Sequence, residues 1–439
     1  MNLPEIIHLG AKDCVTGSCH LLKIKDLSIL IDCGITYGND RAIPFKEWPI
    51  QPSDIDFLFV THAHMDHIGR IPELIEHGFQ GEILTTHATK ALLYPMLEDG
   101  LELSGRSETE RERLLKIIDE LSWGFEYNQY FDLKSGIRFK FFKAGHILGS
   151  CFIKIEARYP DFSIIFSGDL GMRDTPLLPD PDPPDPCDLL IMESTYGNRV
   201  HEGMDERRET LSKILLQALS DGGKVFIPAF ALGRIQELIY DMDRIFSLPK
   251  WDQKIPVFID SPLGLEITEI YSRLSQFWDK EAKKLLYKGD HPLDFEYLYA
   301  VRSYDAHKRL MEMEGSGIIV AGSGMCTGGR VVDHLIGGLE DPKNDVIFVG
   351  YQAEGTPGRD IIRYHKKRNG YVILEGERIT INAGVYVLNG YSAHADKNGL
   401  LEWVESMGDK PGEIRLVHGE PDAQAHLKRL LHKRGYNIR

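Results

Sequence analysis

His62-Ala63-His64-Met65-Asp66-His67 places three imidazoles and a carboxylate within six residues, directly after the apolar run Phe57-Leu58-Phe59-Val60. Imidazole and carboxylate are good ligands for zinc and similar cations. The apolar run reads as a buried strand, so the ligand-type residues lie on a turn that starts at Thr61. On such a turn His62 and His64 point to one side and Asp66 with His67 to the other, which can hold two metal ions. Three further segments offer the same chemistry at the ends of predicted strands. Gly145-His146-Ile147-Leu148-Gly149 follows Phe141-Phe142, Ser167-Gly168-Asp169-Leu170-Gly171 follows Ile164-Ile165-Phe166, and Val417-His418-Gly419 closes a late strand. Taken singly, a His or Asp beside glycine is an ordinary turn residue; with the hexapeptide, the three complete a ligand set.

The chain that must position these residues has 439 residues, 42% hydrophobic and 27% charged, which is enough for a packed core in two or three domains. Met1-Asn2-Leu3-Pro4-Glu5 has no basic region followed by an apolar stretch, and no run of eighteen apolar residues occurs. Neither export nor membrane insertion is supported, and a cytoplasmic protein is expected. The six cysteines include no CxxC pair, which suits reduced thiols rather than metal ligands. A net charge of −15 argues against a protein that coats nucleic acid generally. Basic clusters stand at Arg359 to Arg368 and at Lys428 to Arg439, and their plainest reading is solvated helix faces.

Short, turn-bounded strands come first, at Ile6 to Leu9, His20 to Ile24, Ser28 to Ile31, Phe57 to Val60 and Glu82 to Thr85. A helical region follows from Ala88 to about Leu121. Strands return at Ile137 to Lys143, Cys151 to Ala157 and Ser163 to Phe166, and the proline-rich stretch Pro176 to Pro186 reads as a surface connector. From about Met204 helix and strand alternate, which predicts a parallel sheet with helical crossovers. By about Gly376 short strands resume, at Arg378 to Ile381, Val385 to Leu388 and Glu413 to Val417. The simplest account is one sheet domain, residues 1–200 and 377–439, interrupted by an inserted α/β domain over 201–376.

In order and context, Asp32, the 62–67 motif, His146, Asp169 and His418 resemble the metal-binding motifs of the metallo-β-lactamase superfamily, and the match spans nearly the whole chain. Further segments resemble its β-CASP branch, which includes the mRNA cleavage and polyadenylation endonuclease and archaeal and bacterial ribonucleases. Glu193 in Met192-Glu193-Ser194-Thr195-Tyr196 resembles motif A, His394 in Ser392-Ala393-His394-Ala395-Asp396 motif B, and His418 motif C. Ile227 to Arg234 is also similar to that branch. The resemblance implies an αββα metallo-β-lactamase sandwich with an inserted parallel-sheet β-CASP domain.

It also implies two zinc ions. His62, His64, His146 and Asp169 would hold one; Asp66, His67, Asp169 and His418 would hold the other, with Asp169 bridging. Coordination lowers the pKa of water from about 15.7 towards 7 and so supplies hydroxide as nucleophile. Asp66 counts with the catalytic residues, and Asp32 fits better as an acceptor that orients a ligand imidazole. His394 is the candidate general acid, with Glu193 as its orienting carboxylate. The insertion is expected to lid the metal centre over a cleft for single-stranded polymer. Glycine-rich turns at Gly322-Ser323-Gly324-Met325 and Gly350 to Gly358 are either plain tight turns or phosphate cradles, with Ser323, Gly324, Arg330 and Arg359 as candidate phosphate contacts.

The function so implied is zinc-dependent hydrolysis of single-stranded RNA, endonucleolytic, with a 5′–3′ exoribonuclease as the alternative. His at motif C goes with RNA-acting members, where DNA-acting members have Val. A small-molecule thioester or lactone hydrolase would lack the insertion and the Ser392–Asp396 motif, a redox di-iron protein would have Glu where His64 stands, and a scaffold subunit would have lost ligands. The partners left open are a second copy of the chain or subunits of an RNA-processing complex. The chain starts in the first strand of the metal domain, so the N-terminal RNA-binding extension of some archaeal relatives is expected to be missing.

Overall fold

A computed structural model describes residues 4–158, 161–251 and 254–439. The chain forms two compact units, Met1–Val200 with Ala393–Arg439, and His201–Ser392.

In the first unit, β1 (Glu5–Gly10), β2 (Cys19–Ile24), β3 (Leu27–Ile31), β4 (Phe57–Phe59), β5 (Glu82–Thr86) and β6 (Ser122–Phe125) form one sheet in that order. A second sheet has β7 (Tyr130–Asp132), β8 (Ile137–Lys143), β9 (Cys151–Ala157), β10 (Phe162–Phe166), β11 (Leu189–Glu193) and β20 (Glu413–Val417), in the order β20-β11-β10-β9-β8-β7. Strand alternation turns Ile29, Phe57 and Phe59 of one sheet and Phe139, Phe141, Ile153 and Phe166 of the other into a shared core. On the far face of the second sheet, stacked Phe142 and Phe152 meet Trp403 of the helix Lys397–Glu405. The helices His87–Leu103 and Glu108–Leu121 pack on the first sheet. This is the αββα layering expected.

The register decides where chemistry can occur. β3 and β4 are parallel, and so are β10, β11 and β20; β8 is antiparallel to β9, which is antiparallel to β10, so β8 runs with β10. Asp32, the 62–67 turn, His146, Asp169 and His418 all follow the carboxyl ends of these strands, and Glu193 is the last residue of β11. One edge of the sandwich therefore receives every segment that carries a candidate ligand.

In the second unit, β12 (Lys224–Pro228), β13 (Val257–Asp260), β14 (Leu298–Ala300), β15 (Gly317–Ala321), β16 (Asp345–Phe348) and β19 (Gly384–Val387) form a parallel sheet in the order β14-β13-β15-β12-β16-β19. β17 (Tyr371–Leu374) and β18 (Glu377–Thr380) make a separate antiparallel hairpin.

Two expectations are corrected and one is refined. The return to the first unit falls at Ala393, not at residue 377, because β19 pairs in parallel with β16 and the hairpin packs Val372, Leu374 and Ile379 into the insertion's core. The helical region 88–121 is two helices: Gly105 takes a positive φ of 76° after Leu103, and Ser107 restarts the chain with a capping box to Glu110. The proline-rich stretch is not a free surface connector, since Leu177 and Leu178 are buried and the Asp182 carbonyl accepts a 3.0 Å hydrogen bond from Trp403 Nε1.

Candidate metal centre

The hexapeptide turn is built by its neighbours. Val60 and Thr61 leave β4 fully buried, and the short helix Met65–Ile68 starts at once, with His64 at its N-cap. Asp32 fixes this turn from the end of β3. Its Oδ1 accepts the Thr61 N–H at 2.8 Å, and its Oδ2 lies 3.0 Å from Thr61 Oγ1, 3.2 Å from Ser18 Oγ and 2.7 Å from His67 Nδ1. A carboxylate on Nδ1 leaves the Nε2 lone pair of His67 pointing away, available to a cation. Asp32 is thus a fourfold acceptor beneath the site. Ser18 and Thr61 were not anticipated from sequence; Thr61, a hydroxyl just before the hexapeptide, was legible, whereas nothing marks Ser18 until β2 and β3 pair.

The donor atoms form two groups that meet at Asp169. In the first, His64 Nδ1 lies 3.1 Å from both His62 Nε2 and His146 Nε2, and Asp169 Oδ2 lies 3.6 Å from each of those Nε2 atoms. In the second, Asp169 Oδ1 is 3.3 Å from both His67 Nε2 and His418 Nε2, with Asp66 Oδ2 3.9 Å from His67 Nε2. Two ligand atoms held about 2.0–2.1 Å from one tetrahedral zinc lie about 3.3–3.4 Å apart. Apart from the longer Asp66–His67 separation, the observed spacings of 3.1–3.6 Å lie close to that edge length. His67 Nε2, His418 Nε2 and Asp169 Oδ1 are buried with no hydrogen-bond partner, a costly state for polar atoms that a cation would relieve. Every residue expected as a ligand is brought together here.

A separate group, Asp260, His307 and His334 in the second unit, fails the same test. Asp260 Oδ2 lies 2.6 Å from His307 Nδ1 and 2.7 Å from His334 Nε2, too close for two ligands of one cation and right for direct hydrogen bonds. Arg330 Nη1 donates to Asp260 Oδ1 at 2.7 Å and to the Val301 carbonyl at 2.8 Å, and its Nη2 donates to the Arg302 carbonyl at 3.0 Å. This is a hydrogen-bonded hub. The Arg330 guanidinium, expected as a phosphate contact, spends both terminal nitrogens on protein acceptors. Arg359 is exposed and bound to Glu354 at 3.0 Å, while Ser323 Oγ is 3.1 Å from Thr327 Oγ1 and Gly324 sits against the Phe230 ring.

His394 and Glu193, 201 positions apart in sequence, do meet. Gly171 forms an antiparallel bridge to His394, and Ala395 N–H donates to the Leu170 carbonyl at 2.6 Å, so the motif B segment is strapped to the loop that carries Asp169. His394 Nδ1 is then 3.3 Å from Glu193 Oε1, and its Nε2 is 3.8 Å from Asp169 Oδ2. Glu193 is fully buried and accepts the Leu170 N–H at 2.6 Å. Burial alone would favour a neutral imidazole, but the Glu193 and Asp169 carboxylates outweigh it and push His394 up to about 9. At neutral pH this ring can give a proton.

Family models for the metallo-β-lactamase superfamily, the β-CASP domain and the Zn-dependent metallo-hydrolase RNA specificity domain match residues 13–228, 235–361 and 378–439. A ribonuclease of Thermus thermophilus is 36% identical over 99% of this chain and 97% of its own length. The chain belongs to the β-CASP branch of the metallo-β-lactamase superfamily. As a member of that branch it is a metal-dependent hydrolase, and the two donor groups are of a kind that could hold its metal. The transcription termination factor of Methanocaldococcus jannaschii is 32% identical over 98% of this β-CASP chain and 70% of its own length. A cleavage and polyadenylation specificity factor of Drosophila melanogaster is 30% identical over 98% of the chain, which spans 62% of that protein. A crystal structure of a protein of unknown function from Enterococcus faecalis shares the fold at a TM-score of 0.58 and 14% identity, over 99% of this chain and 97% of that one. Among the described residues, no helix is long and apolar enough to cross a membrane.

Proposed function

We propose that this β-CASP hydrolase is a ribonuclease that cuts single-stranded RNA internally at a centre holding two zinc ions. The observation that carries the reading is the His394–Glu193 pair beside Asp169, next to two complete donor groups that share that carboxylate. Phosphodiester cleavage needs a nucleophile, charge stabilisation at the phosphorus oxygens and a proton for the departing oxygen. Bound zinc supplies the first two, by acidifying water and by drawing charge from the phosphoryl oxygens.

The protein's own residues do the rest. His62, His64, His146 and Asp169 are the proposed holders of one ion, and Asp66, His67, His418 and Asp169 of the other. Asp32 fixes the tautomer and orientation of His67 through its 2.7 Å contact. His394, held charged by Glu193, protonates the leaving oxygen from Nε2. Ser323, Gly324 and Arg359 are proposed contacts for the RNA backbone. RNA as the substrate is supported by the ribonuclease relative, by the RNA specificity model over 378–439 and by histidine at 418. The chain is read as cytoplasmic, working as a homodimer or with RNA-processing partners.

The test incubates zinc-loaded protein with RNAs labelled at either end and carrying a 5′-triphosphate or 5′-monophosphate. Internal fragments that ignore the 5′ group are expected; mononucleotides released only from monophosphate RNA would show a 5′ exonuclease instead. Metal analysis should give two zinc per chain, one after His146→Ala and one after His418→Ala, and a single zinc in the wild type would end the dinuclear reading.

A further inference from the structure

The β17–β18 hairpin of the insertion is amphipathic in an unusual sense. Its register pairs Tyr371 with Thr380, Val372 with Ile379 and Ile373 with Arg378. Alternation buries Val372, Leu374 and Ile379 in the core and turns Tyr371, Ile373, Arg378 and Thr380 to the other face. Solvent normally meets polar side chains there, yet Tyr371 is 43% and Ile373 49% exposed. The Arg378 guanidinium lies over the Tyr371 ring, 4.0 Å from its centroid, so the cation covers one face of the aromatic ring.

The chain enters β17 after Lys366, Lys367 and Arg368, all exposed, with Lys367 Nζ 4.6 Å from the Tyr364 ring centroid, in a protein whose net charge is −15. Beside them, Arg359 and Arg363 pair with Glu354 at 3.0 and 2.8 Å. Of the acidic residues of the hairpin, Glu375 lies in its turn and Glu377 opens β18 opposite Leu374, in register with the core-facing positions. Bases of single-stranded RNA stack on aromatic rings and on guanidinium planes carried by a sheet, while phosphates seek clustered Lys and Arg.

We infer that the outer face of this hairpin is a stacking platform for single-stranded RNA, with Tyr371, Arg378 and Ile373 under the bases and Lys366, Lys367 and Arg368 at the phosphates. The inference rests on the ribonuclease reading and adds to it a binding surface on the insertion, separate from the proposed metal ligands.

The experiment compares full-length, zinc-loaded protein with the double variant Tyr371→Ala/Arg378→Ala, using a long unstructured oligouridine for affinity and bis(p-nitrophenyl) phosphate for the metal centre. Removing the surface under one stacked base should weaken RNA binding roughly tenfold and leave hydrolysis of the small diester unchanged, whereas Tyr371→Phe in an otherwise wild-type chain should keep full affinity. Replacing Lys366, Lys367 and Arg368 with Gln should lower the salt dependence of RNA binding by about 0.7 in log–log slope for each phosphate no longer neutralised. RNA affinity unchanged in the double variant would overturn the platform alone. A wild type that hydrolyses the small diester but neither binds nor cuts RNA would overturn the ribonuclease reading, and the platform with it.

Discussion

Replacing His394 with alanine should separate two substrates that differ only in what leaves. His394 Nε2 lies 3.8 Å from Asp169 Oδ2, at the edge of both donor groups, and Nδ1 is engaged by the buried Glu193. His394 is not among the proposed ligands, so zinc content should be unchanged. An RNA leaving oxygen is a poor leaving group without a proton, and a positioned general acid contributes roughly 10²–10⁴-fold. That corresponds to about 3–5 kcal/mol of barrier. A p-nitrophenolate departs without protonation, so hydrolysis of bis(p-nitrophenyl) phosphate should fall by less than about tenfold. The assay measures kcat/KM for a short RNA and for the nitrophenyl diester in wild type and His394→Ala, with metal analysis of both. Equal losses on the two substrates would refute the general-acid argument and point to a structural or metal-binding role. Full RNA activity in the variant would refute any role in catalysis.

Asp32→Asn keeps the size of the side chain but weakens its hold on His67 and Thr61, so zinc affinity measured by chelator competition should drop roughly 10–100-fold; an unchanged affinity would show that Ser18 and Thr61 suffice. Asp260→Ala strands Arg330, His307 and His334 without their shared acceptor and should cost roughly 3–5 kcal/mol, seen as early unfolding of the insertion in denaturant. Asp99 offers a pH test. Burial first, then Glu102 and Glu98, push its carboxyl up to about 6, so the folded state prefers the protonated form and loses stability as pH rises through that value. Asp99→Asn should therefore leave stability unchanged below about pH 4 and raise it by roughly 1–3 kcal/mol above about pH 7; a gain at low pH, or none at high pH, would contradict the assignment.

Much of the fold and site was legible because the relevant signals are local. A buried strand is a run of apolar residues, and a turn at its carboxyl end is where a sheet exposes side chains, so His62 to His67, His146, Asp169 and His418 announced themselves by type and by what precedes them. Pairings across the sheet leave no such trace. That β19 joins β16 rather than the metal domain depends on a hydrogen-bonded partner some forty residues earlier, and the sequence of β19 alone reads as any short strand. Arg330 has Asp333 three positions on, yet the carboxylate it binds is Asp260, which reaches it only when β13 and the helix Arg330–Gly338 come together.

Sequence by itself determined the chemistry on offer, since ligand identity is a property of side chains: imidazoles and carboxylates suited to zinc, and no CxxC pair to compete. The three-dimensional structure decided which of these atoms converge. Parallel strands bring their carboxyl ends to one edge, and the Gly171–His394 bridge carries His394 onto Glu193 across 201 positions. The resulting spacings, 3.1 Å between histidine nitrogens and 3.3–3.6 Å from these to Asp169, separate a candidate cation site from the 2.6–2.7 Å hydrogen-bonded hub at Asp260, although both are built from the same residue types. Distance between donor atoms, which only packing sets, is what divides a metal centre from a buried network.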